Sequence, residues 1–113
     1  MNVLGLKVYG HDTGAALISN ERIIAIAEER LNRIKHSFNI FPELAIDYCL
    51  STLNIHPKDI DIVVIDQVGA RESIDMKNIF VTRTQGAYSR AAIHVVNHHD
   101  AHAASAFFCS PFQ

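Results

Sequence analysis

Four consecutive β-branched residues, Ile62, Val63, Val64 and Ile65, sit within the run Ile60–Ile65 and constrain this fold more than any other feature. Successive side chains of a strand face opposite sides of its sheet, so a half-exposed strand alternates apolar and polar residues. An unbroken apolar run therefore predicts a strand covered on both faces, as in the parallel centre of an α/β sheet. Asp66 stands at its carboxyl end. Parallel neighbours require crossover connections, so helices are expected on either side of this strand in the sequence.

The rest of the chain supplies them. Val3–Tyr9 is a strand pattern that stops at Gly10, and Thr13–Ile18 is a second short apolar run. Ser19, Asn20 and Glu21 provide turn chemistry, and Arg22–Ala27, with Ile23, Ile24 and Ile26, completes a hairpin. Polarity then changes abruptly through Glu28, Glu29, Arg30, Asn32, Arg33, Lys35 and His36, which reads as a loop or a solvated edge. Pro42 suits a first helical position, and Ile46, Cys49, Leu50 and Leu53 form one helical stripe ended by Asn54. A short helix is expected around Ser73–Ile79, a strand over Ala92–Asn97 and an alanine-rich helix over Asp100–Phe108. The predicted order is β-β-β-α-β-(α)-β-α, a mixed sheet with helices packed on it. In such sheets ligands bind beyond the carboxyl ends of the strands, where Gly10–Thr13, Asp66 and His98 are expected to converge.

Composition narrows the function classes. A chain of 113 residues with 49% hydrophobic and 19% charged residues suits one globular domain. Its two cysteines, Cys49 and Cys109, make no disulfide framework and read as buried thiols, so a reducing, cytoplasmic setting is expected. The sequence shows neither a membrane-length apolar run nor a secretory leader pattern, so membrane attachment is not expected. A net charge of −2 argues against a dedicated nucleic-acid surface.

Seven histidines stand out, and three clusters could carry chemistry. His98 and His102 are four apart, so on one helix both imidazoles share a face and can share a cation. A helix-start cluster, with Asp100 as a cap, explains the same residues equally well. A metal site also needs a third protein ligand, and no CxxC pattern here supplies one. In the second cluster, Gly10–Gly14, a tight turn of this kind is more often purely structural, but its backbone N–H groups can hold an oxyanion, and His11 beside Asp12 can act as a general base. The third, Arg30, Arg33, Lys35 and His36, could bind a phosphate or carboxylate, although charge runs are more often plain solvated surface. His56, His94 and His99 have no assigned role.

The stretches LGLKVYGHDTGAALIS, AEERLNRIKHSFNIFPELAIDYCL and VNHHDAHAASAFFCSPF resemble the N-terminal part of the NodU/CmcH-type O-carbamoyltransferases. The resemblance implies an actin/sugar-kinase-like (ribonuclease H-like) half-domain. It implies transfer of a carbamoyl group from carbamoyl phosphate, with ATP and through carbamoyl-adenylate, to a hydroxyl of a small-molecule acceptor. Carried over by position, His98 and His102 match the metal ligands, with Fe2+ favoured over Zn2+. His11 matches the base near the acceptor, with Asp12 orienting it, and Arg33, Lys35 and His36 match an anion- or carbamoyl-handling stretch.

The sequence departs from the family between Asp66 and Ala92, where it is shorter than the family's usual insertion and carries no matching stretch. Family members are also several hundred residues long. Residues 1–113 are thus expected to form the N-terminal half of a carbamoyltransferase domain, inactive alone and completed by a C-terminal half or a partner chain. An exposed apolar face and self-association follow from that expectation. Two competing readings are a related threonylcarbamoyl-adenosine synthesis subunit and a non-catalytic binding or scaffold module of the same fold.

Overall fold

The computed structural model describes residues 1–8, 13–32, 41–67 and 75–97. They build β1 (Asn2–Lys7), β2 (Gly14–Ser19), β3 (Arg22–Ala27), α1 (Glu29–Asn32), α2 (Glu43–Leu53), a 3-10 turn at Pro57–Asp59, β4 (Ile62–Gln67), α3 (Met76–Arg83) and β5 (Ala92–Asn97). The five strands form one sheet in the order β3-β2-β1-β4-β5. β1 to β3 are an antiparallel meander, whereas β4 and β5 run parallel to β1. The helix expected over Asp100–Phe108 lies outside the described residues.

One face of this mixed sheet holds the core. Leu4, Leu6, Ala15, Leu17, Val63 and Ile65 are all buried, and in register they stand side by side as Leu4–Leu17–Val63 and Leu6–Ala15–Ile65. α2 packs its buried Ala45, Ile46, Cys49 and Leu50 on β2 and β3, and α3 adds Met76 and Phe80. Phe80 joins Phe41 and Tyr88 in an aromatic row with ring centroids 6.3 and 5.0 Å apart.

Among the described residues, the expectation that β4 is covered on both faces holds fully for one face only. Val63 and Ile65 are buried, but Ile62 and Val64 are only partly so. The reason is topological. β1 to β4 and β4 to β5 step the same way across the sheet, so two right-handed crossovers bring α2 and α3 to the same face. On the opposite face Ile18 and Ile23 stay 43% and 72% exposed.

Local chemistry sets the helix boundaries. Asn54 takes a left-handed conformation (φ 56°, ψ 49°) and ends α2, as expected. Pro42 stands at the N-cap rather than inside the helix. α3 begins later than the expected Ser73–Ile79 because Asp75 Oδ1 accepts the Asn78 N–H at 3.0 Å and caps it. The expected loop after β3 is also corrected, because Glu29–Asn32 forms a helical turn. Among the described residues no helix is long and apolar enough to cross a membrane.

Polar contacts lock the amino edge of the sheet. The Asn2 N–H donates to Asp61 Oδ2 at 2.8 Å, Asn2 Nδ2 donates to the Asp59 carbonyl at 2.9 Å, and Ser19 Oγ donates to Asn2 Oδ1 at 2.6 Å. These bonds tie β1, β2 and the approach to β4 together.

Two strand glycines differ in purpose. A Cβ on Gly14 would lie 2.8 Å from the Ile26 carbonyl oxygen and 3.2 Å from Ala27 Cα, both backbone atoms, whereas one on Gly5 would meet only the Ala16 oxygen at 3.9 Å. Gly14→Ala is expected to cost about 1–3 kcal/mol through overpacking against the backbone. Gly5→Ala should be neutral or slightly stabilising, since it lowers unfolded-chain entropy without a clash. Thermal unfolding of both variants checks this; equal losses would contradict it.

Candidate functional site

Strand direction gathers the candidate segments. The carboxyl ends of β1, β3, β4 and β5 and the amino end of β2 share one edge, as the pairs Lys7–Gly14, Gly14–Ala27, Lys7–Asp66 and Gln67–Asn97 show. His11, Asp12, Arg33, Lys35, His36, His98 and His102 all lie outside the described residues. The described residues that flank them stand at or next to this edge: Val8 and Thr13 around His11 and Asp12, Asn32 before Arg33, and Asn97 before His98.

The described part of the edge is chemically mixed. Lys7 and Arg30 line a hollow of about 610 Å³ with Gly14 and Tyr48, running along β3. Lys7 and Gly14 also border a second hollow of about 490 Å³ on the sheet face away from α2, with Val64, Asp66 and Val96. One Asp66 carboxylate oxygen, Oδ1, is buried there. Lys7 was missed by sequence reasoning, yet alternation along β1 sets it opposite Leu4 and Leu6. Among the described residues no three His, Cys, Asp or Glu side chains come together as a metal site. The metal pair expected at His98 and His102 lies beyond them.

Glu28 was read as part of a solvated charge run, and the structure corrects this. It is 2% exposed, and its Oε1 accepts the Ala45 N–H at 2.8 Å. Ala45 is the third residue of α2, a position whose N–H has no partner within the helix. A cap normally comes from the residue just before the helix, but Pro42 offers no side-chain acceptor. Glu28 fills the role from 17 positions away, so only the folded chain reveals it. Its carboxylate also meets the positive end of the helix dipole, which offsets part of the cost of its burial.

Cys49 is a buried thiol, as expected, with its Sγ 3.8 Å from the Ala15 carbonyl oxygen; burial raises its pKa. Between α2 and α3 lies a smaller cleft of about 260 Å³ that includes Phe41, Asp47, Arg83 and Tyr88. The Arg83 guanidinium sits 5.0 Å from the Phe41 ring centre and bonds Glu43 Oε1 at 2.6 Å, an exposed pair worth little in stability. Burial, reinforced by the Asp47 charge, pushes the Tyr88 phenol up to about 12.

Comparison with known proteins adds family evidence. The sequence profile described as "Carbamoyltransferase N-terminus" matches residues 2–87. That match runs through the stretch after Asp66, which the resemblance had left unassigned. The chain is 29% identical to the uncharacterized protein sll1178 of Synechocystis sp. over 98% of its own length and 24% of that protein. It is 32% identical to nodulation protein NolNO of Sinorhizobium fredii over 95% of its own length and 19% of that protein. The chain thus spans about a quarter or less of these relatives. Among solved structures, a Pseudomonas aeruginosa protein described as similar to peptidase YEAZ superposes with a TM-score of 0.68 at 12% identity, covering 96% of this chain and 49% of that one. YeaZ from Pseudomonas aeruginosa gives 0.58, also at 12% identity, over 86% of this chain and 45% of that one. At such identity the likeness shows the fold alone, an actin-like mixed α/β sheet.

Tyr88 provides a pH test. Its pKa is higher folded than unfolded, so its stabilising contribution is complete below about pH 10 and fades as pH rises toward 12. Tyr88→Phe is expected to flatten the loss of stability between those values in denaturant titrations at successive pH. An unchanged slope would contradict the assignment.

Proposed function

Because the chain belongs to the carbamoyltransferase N-terminus family, we propose that it is the opening segment of an enzyme transferring a carbamoyl group to a hydroxyl of a small molecule. The family match over residues 2–87 carries this reading. The NolNO relative, matched along nearly the whole chain, supports it. Carbamoyl phosphate and ATP supply carbamoyl-adenylate, and the remainder of the complete protein or a partner chain supplies the groups this segment lacks. The chain acts only as part of that larger protein.

In this reading the acceptor hydroxyl oxygen attacks the carbamoyl carbon while His11 takes its proton, as a neutral imidazole can near neutral pH. The carbon–oxygen bond to the adenylate phosphate breaks, and AMP leaves with the electron pair. Asp12 orients His11. Arg33, Lys35 and His36 hold the anionic donor, the arginine through bidentate contacts. His98 and His102 would hold a divalent metal, Fe2+ before Zn2+, with a third ligand from outside this chain. Such a metal would act as a Lewis acid toward a carbonyl or phosphoryl oxygen. The clustering of all the flanking strand ends at one edge supports this grouping. The fold likeness to YeaZ, at 12% identity, favours no separate reading.

ATP-dependent transfer from labelled carbamoyl phosphate by the complete protein tests the activity. His11→Ala is expected to lower kcat about 10²–10⁴-fold, the range for loss of a general base; undiminished turnover would sink the role of His11. Elemental analysis should find iron or zinc in the purified protein and lose it in the His98→Ala, His102→Ala double variant. Metal retained by that variant would overturn the ligand assignment. The isolated segment is expected to self-associate through its exposed apolar face. Ile23→Lys should shift it toward monomer in sedimentation velocity, and a monomeric unaltered segment would count against this.

A further inference from the structure

We propose that the hollow lined by Lys7 and Arg30 receives the acceptor, and that the acceptor is a hydroxylated small molecule carrying an acidic group, a carboxylate or a phosphate. This deepens the functional reading above and rests on it for the reaction, while the site rests on described side chains. Lys7, which is half-buried, and Arg30, which is exposed, line one hollow of about 610 Å³, and among the described residues no aspartate or glutamate lines it. Neither cation forms an ion pair with a described residue, whereas Arg83 is bonded to Glu43. The Glu28 carboxylate is turned inward onto the Ala45 N–H, and Asp66, beside Lys7 in register, borders the other hollow. Two cations in one hollow draw anions to it, and the arginine can grip a carboxylate or a phosphate through two parallel bonds.

The sheet itself keeps this space open. Lys7, Gly14 and Ala27 stand side by side on three adjacent strands, about 10 Å from first to last. Gly14 has no side chain and no room for one, because a Cβ there would lie 2.8 Å from the Ile26 carbonyl oxygen, and Ala27 adds only a methyl group. β3 is the outermost strand, so the hollow continues along it to Tyr48 on α2. Lys7 and Gly14 are also the last paired residues before the connection that carries His11 and Asp12, so the anchor stands at the root of that connection. Size and lining favour the acceptor over the donor. The volume suits a molecule of drug size, and carbamoyl phosphate would fill little of it. Away from the cations the walls are apolar, with Ile24, Ile26 and the Tyr48 ring, which fits a carbon skeleton and offers few groups to recognise a nucleotide base. In the reading above Arg33, Lys35 and His36 already hold the anionic donor, so Lys7 and Arg30 have a different anion to hold.

The test uses the complete protein, its Lys7→Gln, Arg30→Gln and Lys7→Arg variants, and hydroxylated sugar, aliphatic and aromatic acids, each matched with its neutral methyl ester. Calorimetric titration reads binding without turnover, and ATP-dependent transfer from labelled carbamoyl phosphate reads KM. At least one acid is expected to bind about 10- to 100-fold more tightly than its ester, the range for charge-assisted hydrogen bonds, and to weaken as salt rises. Lys7→Gln and Arg30→Gln should each remove most of that preference, with the rise falling on the acceptor KM and not on the KM for carbamoyl phosphate or ATP. Lys7→Arg keeps the charge and should keep the preference, which separates lost charge from lost packing. The proposal is overturned by an unaltered protein that prefers no acid over its ester, by a preference that survives both glutamine variants, or by Lys7→Arg losing it as fully as Lys7→Gln. A KM rise confined to carbamoyl phosphate or ATP would overturn it too, by assigning the hollow to the donor. Absence of carbamoyl transfer by the unaltered protein would overturn the functional reading, while the calorimetric comparison of acid and ester would still decide whether the hollow binds anions.

Discussion

The parallel pairing of β1 with β4 is the constraint on which the rest of this structure depends. Parallel strands cannot be joined by a tight turn, so the chain between them must cross over, and α2 lies in that crossover. Because β5 extends the sheet in the same sense, its crossover helix α3 is sent to the same side. The core therefore forms on one face, around Leu4, Leu17, Val63 and Phe80. The same strand directions bring four carboxyl ends to one edge, and with them the starts of the segments that carry the candidate chemistry.

The two edges of the sheet are built differently. At the amino edge, Asn2, Ser19 and Asp61 bond to each other and to backbone, which fixes register where no candidate residue stands. At the carboxyl edge, the polar groups are spread around hollows lined by Lys7, Arg30 and Asp66. Stability resides in apolar contact across the sheet, and the charged groups are left at the rim. Glu28 is buried among the described residues, where its side chain supplies the bond a proline-led helix lacks.

Much of the fold was legible because local signals were strong. Arg22–Ala27 and Ala92–Asn97 are the strands read from β-branched runs, and Asn54 ends α2 as its tolerance of left-handed backbone requires. The start of α3 is not legible in the sequence, because its residues show little helical periodicity and the cap, Asp75, decides the boundary. The candidate site was legible only as residue types and spacings. Lys7 stands within a strand pattern that does not mark it out, and the charged sequence neighbours of Glu28 suggest surface.

By itself, the sequence determined the alternation of strand and helix, the buried stripe of α2 and the stretches on which the family resemblance rests. Those depend on properties of residues near one another in the chain: side-chain period, turn chemistry and spacing. Only the tertiary structure decided that β4 is buried on one side, that Gly14 must lack a side chain and that Glu28 faces inward. Each of these depends on an atom brought close from a distant part of the chain: the crossover side shared by two helices, the Ile26 carbonyl oxygen, and the Ala45 N–H.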